Sequence, residues 1–300
     1  ALLWHWRVIP VLVNALSVIF KKPLDVGGPV GLSATANIFL GQVEAPLLVR
    51  PYLATMSKNE LLILMTVGMS TIAGSVMVIY TTMLAPIYGL GLIGHFLTAS
   101  LISVPAGIMY ANMMIPSDTK TDFPADDSSK MYSSTMDALT RGTQSGIDIF
   151  LNVAAMLIVV MALVFLVNAT LGVLPDFQGQ PLTMERIAGW IFSPLAWCMG
   201  IPWQESQAAG ELLGVKTILN EFVAYIYLAD TNTYVLSEKS SLIMLYALCG
   251  FANFSSVGIL LSGMSAMVPE RRKDLIEVSV KALWAALLAS CMTGFVVGIL

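Results

Sequence analysis

From Leu61 to Ser117 the chain carries no Asp, Glu, Lys or Arg. Ile149–Pro175 and Ser240–Pro269 are uncharged as well. A bilayer core about 30 Å thick takes about 20 apolar residues to cross as a helix, so these stretches read as membrane spans. The rest of the composition agrees. Of 300 residues 57% are hydrophobic and 11% are charged, and the mean hydropathy is +0.79; soluble chains average about 25% charged. The expected fold class is an all-α membrane protein, a multi-span helical bundle among membrane lipid. A net charge of −4 points to no nucleic-acid partner. Cys198, Cys249 and Cys291 lack metal or disulfide spacing, and since each sits in an apolar run, each is expected to be a small buried hydrophobe.

Polar residues inside such a chain are costly and mark function by default. The sharpest group is Asn37-Ile38-Phe39-Leu40-Gly41-Gln42-Val43-Glu44-Ala45-Pro46-Leu47. Gly41 is expected to supply a tight turn, and Pro46 is tolerated near a helix start. The apolar arms on either side have only about a dozen residues, under 20 Å at 1.5 Å per residue, too short to cross. The pattern predicts a re-entrant hairpin over 31–57, with Gln42 and Glu44 at its tip. A soluble helical hairpin with a polar tip is the plainer alternative.

Residues 1–30 read as the end of a spanning helix, then an interfacial stretch and a loop, with His5 an interfacial residue; Pro10, Asn14, Lys21, Lys22 and Pro23 belong here. After the hairpin come spans at 60–80 and 92–114, completing a first repeat over 31–116. Pro86, Gly89 and Gly91 are expected to separate the two spans. Within the first, Thr71-Ile72-Ala73-Gly74-Ser75 is either a small-residue packing surface or an unwound turn offering carbonyls to a cation. A loop and an interfacial helix follow at 117–146, then a span at 147–175 with Asn152 and Asn168 as its polar exceptions.

The pattern recurs over 183–268. A second hairpin is expected at 184–215, with its break at Gly200-Ile201-Pro202-Trp203-Gln204-Glu205-Ser206 and Glu211 on its return arm. An interrupted helix over 216–229, carrying Asn220-Glu221-Phe222, and a span over 240–266 complete it. A last span occupies 274–300, and Arg271, Arg272 and Lys273 place its start on the cytoplasmic side. Paired interrupted segments in two halves point to a transporter with its site between them. Two inverted structural repeats, bringing both acidic tips together inside the bilayer, are therefore expected.

Four strings, Asn37–Leu47 (NIFLGQVEAPL), Ile201–Ser206 (IPWQES), Asn220–Tyr225 (NEFVAY) and Cys249–Ser256 (CGFANFSS), together resemble the concentrative nucleoside transporters, in order and over essentially the whole chain. The resemblance implies a sodium- or proton-coupled symporter for nucleosides such as uridine and adenosine, a homotrimer, and for a bacterial member the inner membrane. It implies that Gln42 and Glu44 bond the base, with Val43 beside them and Val76 along the base, and that Glu221, Asn253 and Ser256 hold the ribose while Phe251 packs on the nucleoside. It assigns sodium to Asn37, Thr71 and the carbonyls of Leu40 and Ile72. The family usually carries Ser or Thr where this chain has Val43, which bears on base preference. It also has spanning helices ahead of the segment that aligns with Ala1.

These residue types suit the chemistry. A nucleoside has no charge but many donors and acceptors, and a site built to hydrogen-bond rejects analogues strongly. Sodium wants several oxygens, which unwound helix ends supply. Glu44, Glu211 and Glu221 could instead each carry a proton. An intramembrane enzyme finds no support: there is no His-Glu-x-x-His and no Ser/Lys or Asp/Asp arrangement of enzyme spacing, and the histidines are His5 and His95. A channel is the remaining class; two separate hairpins favour an occluded site over a pore.

Overall fold

The computed structural model describes residues 2–8, 11, 26–89, 91–117, 119–121, 132–177, 179, 181–230 and 233–300. Pro10, Asn14, Lys21, Lys22 and Pro23, the whole 122–131 stretch and the side chain of Asn152 lie outside the described residues. Helices make up the architecture: α1 (Leu2–His5), α2 (Gly28–Ala36), α3 (Glu44–Leu47), α4 (Lys58–Ser70), α5 (Gly74–Tyr88), α6 (Leu92–Met114), α7 (Thr135–Leu171), α8 (Met184–Cys198), α9 (Trp203–Ile218), α10 (Glu221–Ala229), α11 (Glu238–Ala247), α12 (Phe254–Met267) and α13 (Arg272–Ile299). Lys58–Tyr88, Leu92–Met114 and Pro269–Ile299 are long and apolar enough to cross a membrane. Exposed Leu101, Met109, Leu163, Phe165 and Leu166 show where α6 and α7 present apolar side chains outward.

The chain contains two helix–break–helix units, each followed by an interrupted helix. In the first, α2 and α3 flank a break at 37–43, and α4 and α5 flank one at Thr71–Ala73. In the second, α9 and α10 flank Leu219–Asn220, and α11 and α12 flank Leu248–Asn253. Ser57 caps α4 and Ser237 caps α11, 180 residues on; the second half-helices, starting at Gly74 and Phe254, are again 180 apart. Each serine accepts from the backbone three residues later, which satisfies one of the orphan amides of a helix start.

Several expectations change. Cys249 and Cys291 are buried, but Cys198, at the end of α8, is exposed. The stretch 71–75 takes its unwound alternative. Pro86 lies inside α5; Gly89 (φ 81°) and Gly91 (φ 105°) make the turn. The interfacial helix and span expected on either side of 146 are one helix, α7, of 37 residues and about 55 Å. Gly41 has no left-handed φ, and a β-carbon there would meet only ordinary contacts; the first break rests on the neighbours of Phe39 and Glu44. Residues 184–215 do pair closely, because α8 and α9 touch through small residues. A β-carbon on Gly210 would stand 2.5 Å from the Gly189 oxygen, and one on Gly214 would overlap the Ala188 β-carbon. The counterpart of the first unit is nevertheless α9–α10, with Glu221 at its break.

Candidate functional site

The two interrupted helices cross where both are unwound. Gly250 has φ 130°, a conformation that favours glycine, and a β-carbon there would lie 2.7 Å from the Ser70 carbonyl oxygen. The break after α11 thus sits directly on the end of α4. The first hairpin closes on the same place. The amide of Gly74, the first residue of α5, donates to the Phe39 carbonyl at 3.1 Å, so the hairpin break supplies the cap that α5 lacks in its own sequence. Gln42 lies against Gly68, and Gly41 is near Ala73.

Glu221 begins α10 and is buried, 5% exposed. Asn220 caps that helix by accepting from the Val223 amide at 2.9 Å, which leaves the Glu221 side chain free to turn toward α5 and α12. Its carboxylate accepts from Tyr80 Oη at 2.7 Å and from Asn253 Nδ2 at 3.0 Å. Asn253 in turn caps α12, its Oδ1 accepting from the Ser256 amide at 2.7 Å. Glu221, Asn253 and Ser256 are therefore brought together as expected, with half-buried Phe251 in the adjoining break. A carboxylate at this depth needs such donors, since burying a charge without partners is costly.

Tyr80 escaped the sequence reading because an aromatic in an uncharged run looks like core. It is core as well, packed on Phe96, Phe222 and Tyr225. Its spacing from the 71–73 break was the available signal: seven residues beyond Ala73, it stands about 10 Å along α5.

The hairpin residues form a neighbouring group. Gln42 is buried and its Oε1 has no partner, and the same holds for both polar side-chain atoms of Asn37. Native proteins leave few buried polar atoms unpaired, and each exception asks for a ligand or a water. Glu44 is exposed and folds back, accepting from the Gly41 amide at 3.0 Å. Val43 has its γ-carbons against Gly263 of α12. Val76 is half-buried in the first turn of α5. Among the described residues no hydrogen bond joins Gln42 or Glu44 to the Glu221 group; α5 stands between, touching the hairpin at its start and Glu221 through Tyr80.

The residues assigned to sodium fit a hard monovalent cation. Asn37 Oδ1 is unpaired. Thr71 donates its hydroxyl hydrogen to the Val67 carbonyl at 3.0 Å, leaving its lone pairs free. The Leu40 and Ile72 carbonyls accept no hydrogen bond among the described residues. All four offer oxygen without carboxylate charge, and hard cations prefer oxygen. No group of three His, Cys, Asp or Glu that could hold a metal ion occurs among the described residues.

Glu205, the expected second acidic tip, is elsewhere. Its carboxylate accepts from the Ser237 amide and hydroxyl at 3.1 and 3.0 Å, at the start of α11, about 15 Å from the crossing at the other end of that ten-residue helix. The two tips do not share a site. A cavity of about 220 Å³ between α2, α4 and Ser117–Lys120 is also apart from it. Its buried polar residues Asn59 and Glu60 are already engaged, by Asn112 and Ile115 and by Ser57 and Thr121.

Interrupted helices crossing at their breaks, with unpaired oxygens at the crossing, define a membrane transport protein. A family profile described as "Na+ dependent nucleoside transporter C-terminus" matches residues 95–298, and one described as "Nucleoside recognition" matches residues 1–87. The chain is 34% identical over 304 residues to nucleoside permease NupC of Helicobacter pylori, covering 100% of this chain and 71% of that protein. It is 38% identical over 287 residues to solute carrier family 28 member 3 of Homo sapiens, covering 89% and 40%. Among solved structures, CNTnw in an inward-facing substrate-bound state superposes with a TM-score of 0.89 at 35% identity, covering 99% of this chain and 70% of that one. The chain belongs to the concentrative nucleoside transporter family.

Proposed function

We propose that the protein is a symporter that couples inward sodium movement to nucleoside uptake by alternating access. The observation that carries this is Glu221: a buried carboxylate at the meeting of two interrupted helices and a hairpin break, held by Tyr80 and Asn253, with the Asn37 side chain and Gln42 Oε1 unpaired at the neighbouring break. Glu221, Asn253 and Ser256 hold the ribose, Phe251 and Val76 pack on the nucleoside, and Gln42 and Glu44 bond the base once Glu44 leaves the Gly41 amide. Val43, seated on Gly263, shapes the base end by packing. Asn37, Thr71 and the Leu40 and Ile72 carbonyls hold sodium.

In this reading both helix–break–helix units are re-entrant hairpins, the two halves are inverted repeats, and the protein works as a homotrimer in the bacterial inner membrane. The 180-residue register of the two halves supports the repeats, and the outward apolar faces of α6 and α7 suit lipid or neighbouring copies. Coupling follows as linkage. Sodium at Asn37 and Thr71 orders the hairpin break, the ordered break binds nucleoside better, and each favours the other by the same factor. The test is binding and vesicle uptake of uridine and adenosine in sodium and in choline. Nucleoside affinity that is equal in the two media removes sodium coupling, and uptake set by pH alone gives the proton-coupled version.

A further inference from the structure

Lys216 lies in the last turn of α9, three residues before the Leu219–Asn220 break that precedes Glu221, and its relative exposure is 0%. Its ammonium makes one hydrogen bond among the described residues, to the carbonyl of Ala247 at 2.9 Å, and no ion pair within 4 Å. A buried ammonium with two idle N–H groups is costly unless its charge is used. Ala247 ends α11, so the C-terminal ends of α9 and α11 both meet at this side chain, and helix C-termini attract cations. The ionisable groups around it are Glu221 from α10, Cys249 from the break and Cys291 from α13. Those around Glu221 are Tyr80, Lys216 and Cys249, with Tyr225 on the same helix.

The register of the two halves sharpens this. In the first half, the space between the last turn of α2 and the end of α4 holds Asn37 and Thr71, the residues read as sodium ligands. The matching space in the second half lies between the last turn of α9 and the end of α11, and Lys216 occupies it. We infer that Lys216 is a cation built into the chain, filling in the second half the place that sodium takes in the first and balancing the charge of Glu221. Its role is that of a positioning residue, acting on the nucleoside through Glu221. The charge-balance claim stands without the transport reading; only its binding readout rests on Glu221 as a nucleoside ligand.

The test uses purified full-length chain carrying Lys216→Met, Lys216→Gln, Glu221→Gln or the Lys216→Met/Glu221→Gln pair, with thermal melting and uridine binding in sodium from pH 6 to 8. Lys216→Met is expected to melt lower than the parent, and adding Glu221→Gln is expected to recover part of the loss, because the pair no longer buries an unbalanced carboxylate. Lys216→Gln keeps a donor for Ala247 without the charge. An uncompensated buried carboxylate takes up a proton more readily, so in that variant uridine affinity falls on acidification, by up to about tenfold per pH unit for one proton. The parent stays within about twofold over the range. If Lys216→Gln follows the parent's pH profile and Glu221→Gln adds to the loss of Lys216→Met, the residue is a neutral cap and the inference is overturned. Should Lys216→Met not fold, recovery of folding in the double variant, or its failure, decides the same point. A parent chain that binds no uridine at all would sink the transport reading, while the melting series would still judge Lys216.

Discussion

Replacing Gly250 by Ala presses on the point where the two interrupted helices touch. Two costs add. An L-residue at φ 130° is strained, by about 1–3 kcal/mol. The new methyl would stand 2.7 Å from the Ser70 oxygen, 2.9 Å from its carbonyl carbon and 3.0 Å from Ser290 Oγ. Two of these atoms are backbone and cannot rotate away, and overpacking of that kind costs about 1–3 kcal/mol. The sum, about 2–6 kcal/mol, is a large part of the 5–15 kcal/mol that ordinarily holds a fold together, and for a chain of this size, at about 2 °C per kcal/mol, it corresponds to a fall in melting temperature on the order of 4–12 °C. Gly94→Ala is the matched control. Gly94 lies in α6, and a β-carbon there would find nothing within 4 Å, so its melting point should move by no more than the ~1 kcal/mol that separates Gly from Ala in a helix. The assay is melting of both variants in the same detergent, followed by uridine uptake in vesicles. Equal melting points for Gly250→Ala and Gly94→Ala would show that the breaks do not touch, and the geometry of the crossing would have to be abandoned.

Tyr80→Phe removes one donor from the Glu221 carboxylate and keeps the ring; a hydrogen bond to a charged group contributes about 1.5–3 kcal/mol, so melting should fall by a few degrees, about 2 °C per kcal/mol, and uridine affinity, measured by titration calorimetry, should weaken because the carboxylate is no longer held. Asn37→Ala should raise the sodium concentration for half-maximal uptake on the order of tenfold, the equivalent of about 1.4 kcal/mol, while uptake at saturating sodium is kept; an unchanged sodium curve would take Asn37 out of the cation site. Arg271 donates to Asp274 at 2.7 Å and to the carbonyls of Ala54 and Met56 at 2.8 and 2.7 Å, fastening the foot of the first hairpin to the start of α13. Arg271→Gln should therefore speed proteolysis at residues 53–57, read by mass spectrometry of limited digests.

Much of this architecture is written locally. The bounds of α6 follow from an uncharged run closed by Gly91 on one side and Pro116 on the other. The 71–73 break follows from small residues, with Ser70 and Thr71 at the end of α4. Cap residues were the neglected signal. Asn220 before Glu221-Phe222-Val223 is a helix start, yet the break there has neither Gly nor Pro, so the pattern alone places it inside an interrupted helix. Gly200-Ile201-Pro202 looks like the first tip, and that likeness drew the second hairpin one helix too early. The amphipathic stretch before Gly146 changes its polarity but not its period, so α7 continues where a boundary was expected. The pairing of Tyr80 with Glu221 spans 141 residues, and no local pattern announces a contact of that range.

The same separation bears on how the protein is made. Tyr80 and Ser70 are synthesised long before Glu221, Gly250 and Asn253. A nascent chain therefore holds α4 and α5 before the helices that complete the Glu221 group have been made. Any product halted before α12 is a membrane-embedded fragment with Glu221 short of a partner, which suits it to removal by membrane quality control.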